Sequence, residues 1–141
     1  MAKPIKLEII TPSKLFYKGE VEIVMCKTSE GYEGFMANHT WACKLLQVGE
    51  LCIQECGNGE CKIAAISGGY IDVKDSIIVY TDAAEWSDEI DVERAKTLKA
   101  EAEDWLLQNK EDEKQVELAR HAIAKAVTRM NVSSGGIRRK R

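Results

Sequence analysis

The sequence predicts an α+β chain, an N-terminal antiparallel β-sandwich followed by a C-terminal antiparallel two-helix hairpin. Two observations carry that expectation. Up to about residue 85, short alternating or apolar runs are punctuated by glycine, with no helical stretch between them, which is the pattern of a sandwich or barrel. Beyond that point apolar residues recur at three- and four-residue steps, the period of a helix lying on a surface. The expected divisions are residues 1–86 for the sandwich, 87–132 for the hairpin and 133–141 for a flexible basic tail.

Strand signals come in order. Lys6-Leu7-Glu8-Ile9 alternates, as does Val21-Glu22-Ile23-Val24-Met25. Leu51-Cys52-Ile53-Gln54 and Lys62-Ile63-Ala64-Ala65-Ile66 flank the turn signal Gly57-Asn58-Gly59, and Tyr70-Ile71-Asp72-Val73 leads through Lys74-Asp75-Ser76 into Ile77-Ile78-Val79-Tyr80. Both arrangements are hairpin signatures. Ser67-Gly68-Gly69-Tyr70 lacks the lysine of a phosphate loop and reads as a tight glycine turn or β-bulge. In the second half, Ala95, Leu98, Ala102, Trp105 and Leu106 form one stripe, with Asp88, Glu89, Asp91 and Glu93 at its start, where the helix dipole favours negative charge. Gln108-Asn109-Lys110-Glu111-Asp112 breaks the pattern. A second stripe follows at Val116, Ala119, Ala122, Ile123, Ala126, Val127 and Met130, with Arg120, Lys125 and Arg129 expected toward the helix end. Both stripes are alanine-rich, so the helices can pack closely, yet short helices are marginal alone. The pair must lie on the sandwich or on another protein.

Composition narrows the function. With 45% hydrophobic and 30% charged residues and a net charge of −3, nothing points to a nucleic-acid partner. No apolar run is long enough to span a bilayer. The opening Met1-Ala2-Lys3-Pro4-Ile5 shows no leader pattern, which predicts a protein made and kept in the cytoplasm, with any membrane association through a partner. Five cysteines (Cys26, Cys43, Cys52, Cys56, Cys61) are expected to be reduced thiols. On a hairpin, Cys56 and Cys61 could face each other, but Cys52 would lie about 13 Å away, so the three cannot share a zinc ion. Two histidines, His39 in a loop and His121 on the second helix, have no nucleophile or acid motif beside them. No catalytic site and no required cofactor are visible.

Several motifs in order resemble one family. Thr11-Pro12, Phe16-Tyr17-Lys18-Gly19-Glu20-Val21-Glu22, and Ser29-Glu30-Gly31-Tyr32-Glu33-Gly34-Phe35-Met36-Ala37-Asn38-His39-Thr40 resemble the opening of the epsilon subunits of F-type ATP synthases. Asn38 stands where the family's Gly-His pair has glycine, and asparagine tolerates φ > 0. Leu46-x-x-Gly49, Ser67-Gly68-Gly69-Tyr70-Ile71-Asp72-Val73 and Ile90-Asp91-Val92-Glu93-Arg94-Ala95 follow at the family's spacing.

The resemblance implies a ten-stranded sandwich that binds the gamma subunit and sits on the c-subunit ring, coupling ion flow to ATP synthesis. Glu30, Gly31, Tyr32 and Glu33, with His39 behind them, match the c-ring and gamma interface. The hairpin is expected to reach the alpha and beta subunits and inhibit ATP hydrolysis through Arg120, Lys125 and Arg129, with Arg138, Arg139, Lys140 and Arg141 adding charge. The expected location is peripheral, on the cytoplasmic side of the inner (plasma) membrane. The resemblance also implies ATP as a regulatory ligand at Glu85, Ile90, Asp91, Arg94, Ala95 and Arg129. Glu101 and Lys125 depart from that site, standing where ATP-binding members have arginines, and an acid facing triphosphate is repulsive. The structural alternative is that Asp91 and Arg94 cap and brace the helix start. Rival functions are a stand-alone ATP-binding sensor, which predicts ATP affinity without gamma, and a cysteine-dependent redox protein, which predicts a low-pKa thiol.

Overall fold

A computed structural model describes residues 3–57, 60–109 and 111–135. The Asn58-Gly59 part of the expected turn, Lys110 and the basic residues Arg138 to Arg141 lie outside the described residues.

Among the described residues seven strands precede two helices: β1 (Ile5–Ile10), β2 (Leu15–Thr28), β3 (Gly31–Phe35), β4 (Ala42–Glu55), β5 (Cys61–Val73), β6 (Ile77–Thr81), β7 (Ala84–Trp86), α1 (Val92–Gln108) and α2 (Glu113–Ser133). The pairing order is β1-β6-β5-β4-β2-β3, with β7 on β5 and an additional β1–β2 ladder that closes the path on itself. All ladders are antiparallel except β1–β6, whose strands are far apart in the chain and need no hairpin between them.

Seven strands do the work of the expected ten because the three long ones each serve both layers. A strand shows alternate residues to opposite faces, so a change of parity among its buried residues marks a change of buried face. In β2 the core residues pass from Tyr17 and Val21 to Val24 and Cys26, beside the register shift between Val21 and Ile23. In β4 they pass from Leu46 to Leu51 and Ile53, and in β5 from Ile66 to Ile71 and Val73. The crossing in β5 falls at Gly68 and Gly69, with φ of 94° and 131°. The glycine turn read from the sequence is therefore a corner inside an unbroken strand. There β5 exchanges β7 for β6 as its second partner.

The two sheet layers enclose one core, with Leu7, Ile9, Val21, Phe35, Leu51, Ile53, Ile71 and Val79 fully buried. The outer face of the β4–β5 end is covered by the hairpin, where Cys52, Cys61, Ile63 and Ala65 pack with Ile90 and Val132. Gly49 to Ile53 and Ile63 to Ile66 are consequently buried without alternation. The hairpin thus lies on the sandwich, held mainly through α2.

Helix ends follow local chemistry. Asp91 caps α1, accepting a hydrogen bond from the Arg94 backbone N–H at 3.1 Å. Asp112 caps α2, accepting from the Lys114 and Gln115 N–H groups at 3.1 and 3.4 Å. One expectation is corrected. α2 continues through Asn131 to Ser133 and has no basic residue in its last turn, so Arg120, Lys125 and Arg129 are not placed by the helix dipole. A second correction concerns the β4–β5 connection. Gln54, not Cys56, stands opposite Cys61, and the Cys56 N–H turns instead to the Glu20 carbonyl at 3.4 Å.

At Gly69 a Cβ would lie 1.8 Å from the Tyr80 carbonyl oxygen, whereas at Gly57 it would meet nothing. Gly69→Ala is expected to lower unfolding free energy by at least about 2 kcal/mol, and Gly57→Ala by about 1 kcal/mol. Urea midpoints with unchanged slope would measure the difference.

Candidate interaction sites

Three surfaces carry the candidate residues. The first is the turn between β2 and β3. Thr28 is buried here, and its hydroxyl accepts from the Glu30 N–H at 3.2 Å while donating to Glu33 Oε2 at 2.6 Å. Lys44 Nζ donates to the other Glu33 oxygen at 2.6 Å, tying β3 to the start of β4. These hydrogen bonds hold the Glu33 carboxyl below the usual carboxylate range and push Lys44 above the usual ammonium value. Tyr32 points to the opposite face of β3, its hydroxyl accepting from the Glu50 N–H at 3.3 Å. Burial is the chief cause that raises its phenol.

His39 lies in the next loop. Its Nδ1–H donates to the Thr40 carbonyl at 2.6 Å, and its ring sits 5.1 Å from the Phe35 ring. Asn38 beside it adopts φ of 68°, the backbone that asparagine tolerates in place of glycine. Glu30 to Glu33 thus form the turn and first residues of β3, whereas His39 follows the strand's other end, beside Phe35. Glu30 projects at the tip and Glu33 is internally braced.

The second surface is the outer face opposite the hairpin, which sequence reading missed. Leu45, Tyr70, Tyr80 and Ile10 stand in one cross-strand row on β4, β5, β6 and β1. Leu45 is 77% exposed, and Tyr70 and Tyr80 stack at 4.7 Å. Trp41, 66% exposed, and Met36 lie on the adjoining loop. Tyr80 and Ile10 are half-buried, so Leu45 and Tyr70 are the members of the row that leave apolar surface open. The signal was present: Tyr70 alternates with the core residues Ile71 and Val73, so it had to face outward.

The third surface is the seam between sandwich and hairpin. Arg129 on α2 meets Glu85 on β7, with Nη2 donating to Oε2 at 3.2 Å and Nε 2.7 Å from Oε1. Nε is an ion-pair contact only, since it is buried and its N–H is not aligned with an acceptor. Beside the pair lies a cavity of about 290 Å³ lined by Ala65, Ser67, Leu98, Ala122, Lys125 and Arg129, among others. Of the residues implied for ATP, Glu85 and Arg129 border this cavity, together with Lys125. Ile90 and Ala95 are buried in packing, and Asp91 and Arg94 cap α1, none of them among its lining residues. Arg120 and Glu101 are exposed on the helices.

Cys26 and Cys56 lack the signature of an activated nucleophile. Burial pushes the Cys26 thiol up to about 12, and desolvation raises Cys56 as well. No disulfide joins any of the five. No helix among the described residues is long and apolar enough to cross a membrane.

Comparison with known proteins agrees with this architecture. Residues 4–87 match the family model described as ATP synthase, Delta/Epsilon chain, beta-sandwich domain, and residues 88–134 match its long alpha-helix domain. The ATP synthase epsilon chain of Caldanaerobacter subterraneus subsp. tengcongensis is 35% identical over 136 residues, covering 95% of this chain and 96% of the relative. That of Alkaliphilus metalliredigens is 42% identical over 107 residues, covering 75% and 78%. A chain in the Euglena gracilis mitochondrial ATP synthase structure (OSCP/F1/c-ring) has a TM-score of 0.77 at 24% identity, covering 89% of this chain and 78% of that one. One in the Tetrahymena thermophila mitochondrial ATP synthase central stalk and c-ring structure has 0.67 at 15%, covering 94% and 98%.

Two outcomes follow from the geometry. The Glu33 carboxylate should titrate below a free glutamate, and Lys44→Met should raise its midpoint, read by carboxyl NMR. Because the folded pKa is lowered, the pair's contribution is present above the ordinary glutamate pKa and is lost only as pH falls through the lowered one. At the seam, Arg129→Met should speed amide exchange in α2. A double-mutant cycle with Glu85→Gln should give a coupling of about 0.5–1 kcal/mol, the scale of a partly exposed ion pair.

Proposed function

The chain belongs to the ATP synthase epsilon-chain family along both its halves, and from that premise we propose that it is a non-catalytic rotor part whose sandwich grips the gamma subunit and the c-ring. The observation that carries this reading is the division of the sandwich's two outer faces. One is covered by the chain's own hairpin. The other leaves Leu45 and Tyr70 exposed side by side, with Tyr80 half-buried next to them. Buried apolar surface contributes about 25 cal/mol per Å², so this bare face is the natural seat for gamma. The Glu30–Glu33 turn, with His39 in the loop that follows β3, then meets the c-ring. Membrane association comes through the ring, on the cytoplasmic side.

The hairpin is the regulatory element in this proposal. It is docked through few residues, since Ala126 and Val132 are the buried residues of α2 and Ala95 that of α1. Such a cover can be displaced by a competing surface of similar strength, because states must differ by only a few kcal/mol to switch. Undocked, Arg120, Lys125 and Arg129 present three cations to the alpha and beta subunits and oppose ATP hydrolysis. Regulatory ATP is a second reading, favoured by the cavity bordered by Lys125 and Arg129. In it, Glu85 would have to yield Arg129 to the phosphates. Calorimetry on the wild type and on Arg129→Met would test this, and equal heats would discard it.

Leu45→Asp with Tyr70→Asp should abolish co-elution with gamma at micromolar concentration while leaving the circular dichroism spectrum intact. Truncation after Ser87 should preserve assembly and raise ATP hydrolysis by the reconstituted head. Unchanged hydrolysis would refute inhibition by the hairpin.

A further inference from the structure

We propose that Cys61 and Cys52 form a two-thiol modification site at the root of the hairpin, entered from a groove beside the interdomain linker and selective for small, amine-bearing disulfides. Modification there holds α2 off the sandwich. The inference stands on the placement of the thiols, the groove that leads to one of them and the charge of that groove.

Cys52 and Cys61 both lie on the covered outer face, 3% and 6% exposed, in the cluster completed by Ile63, Ala65, Ile90 and Val132. They are not equivalent. Cys61 also lines an open groove of about 600 Å³ whose other walls are Glu60, Lys62, Ile63 and the linker Trp86-Ser87-Asp88-Glu89. Cys52 does not border that groove, and Met25, Ile63 and Val132 share its cluster. Reagent therefore meets Cys61 first, and Cys52 only after the hairpin root moves.

The groove's charge selects the reagent. Asp88 and Glu89 bring two carboxylates from the linker, while Lys62 is engaged by Glu55 at 3.1 Å. A cationic disulfide is drawn in and an anionic one is repelled, an effect that salt screens.

Strand register fixes the product. Cys61 stands opposite Gln54 and Cys52 opposite Ile63, so the thiols lie on a diagonal. Diagonal neighbours are roughly 7–8 Å apart, beyond the Cα span of about 4.4–6.8 Å that a disulfide needs. An internal bridge would need the strands to shift, so the product on the docked chain is a mixed disulfide with the reagent. Cys61 loses its proton, its Sγ attacks one reagent sulfur, a Cys61–S–S–R bond forms and the RS–SR bond breaks. The departing thiolate takes up a proton, and excess thiol reverses the exchange. The adduct competes for the space filled by Ile90 and Val132, which is 0% exposed, so the two cannot occupy it together.

The test uses the full isolated chain, with cystamine and oxidised glutathione as probes and peptide mapping by mass spectrometry as readout. Cys43 and Cys56 are exposed and serve as positive controls, while Cys26, in the sandwich core, reports global unfolding. Expected are labelling of Cys61 before Cys52, none at Cys26, and a rate with cystamine at least about tenfold that with oxidised glutathione at low salt. Cystamine-treated chain should show faster amide exchange in α2, restored by dithiothreitol and absent in Cys61→Ser. Val132→Asp, which loosens the cover, should accelerate Cys52 while Cys26 stays silent. Labelling of Cys61 and Cys52 only together with Cys26, faster reaction with oxidised glutathione, or an adduct that leaves α2 exchange unchanged would each overturn the proposal. The effect on α2 rests on the reading that the hairpin can leave the sandwich. Because labelling is read without the enzyme complex, its failure is separate from a failure of inhibition in the hydrolysis assay.

Discussion

A β-strand has only two faces, and most of this molecule's architecture follows from how β2, β4 and β5 reuse theirs. Each strand buries one face in the first layer and the other in the second, which demands a point where the alternation slips. In β5 the slip is accommodated by two glycines in backbone conformations that L side chains rarely adopt. There Gly69 approaches the Tyr80 carbonyl so closely that no side chain fits. The same crossings decide which residues face outward. Beyond one corner, Leu45 and Tyr70 are left on the surface. On the other side, Cys52 and Ile63 are left for the hairpin to cover. The open apolar face and the hairpin seam are two results of one folding constraint.

The seam is correspondingly light. It joins a few apolar residues of α2 and the linker to one ion pair of modest worth, while the sandwich is bound by continuous ladders and a shared core. Heavily and lightly held parts are thus segregated along the chain, at Trp86. This residue belongs to the heavily held side. Its ring stacks on Phe16 at 4.5 Å and meets Tyr17 edge-on at 5.9 Å, and the Ser87 N–H donates to the Ile63 carbonyl at 3.1 Å.

The change of period near residue 85 made the two-part architecture legible, because helical and strand spacing leave different imprints on apolar residues. Asp91 was legible as a helix start, and Asn38 as a left-handed position. The face changes were not, since alternation fails at a corner and the neighbouring run then reads as a separate strand. β3 and the start of β4 also escaped periodicity, their residues being only partly covered. Glu85 and Arg129 are 44 positions apart, and no local pattern links them. Only resemblance placed both in one site, and the structure joins them to each other rather than to Asp91 and Arg94.

The aromatic anchor at Trp86 also sets a radius of action. With the sandwich clamped up to Ser87, the undocking proposed above would turn the hairpin about residues 88–91. The 17 residues of α1 and 21 of α2, at 1.5 Å rise each, give a span of about 57 Å when laid end to end. Folded back on itself, the same segment spans only about 32 Å, the length of α2. A machine component near its pivot can therefore touch, or spare, structures more than a domain's width away simply by opening one joint.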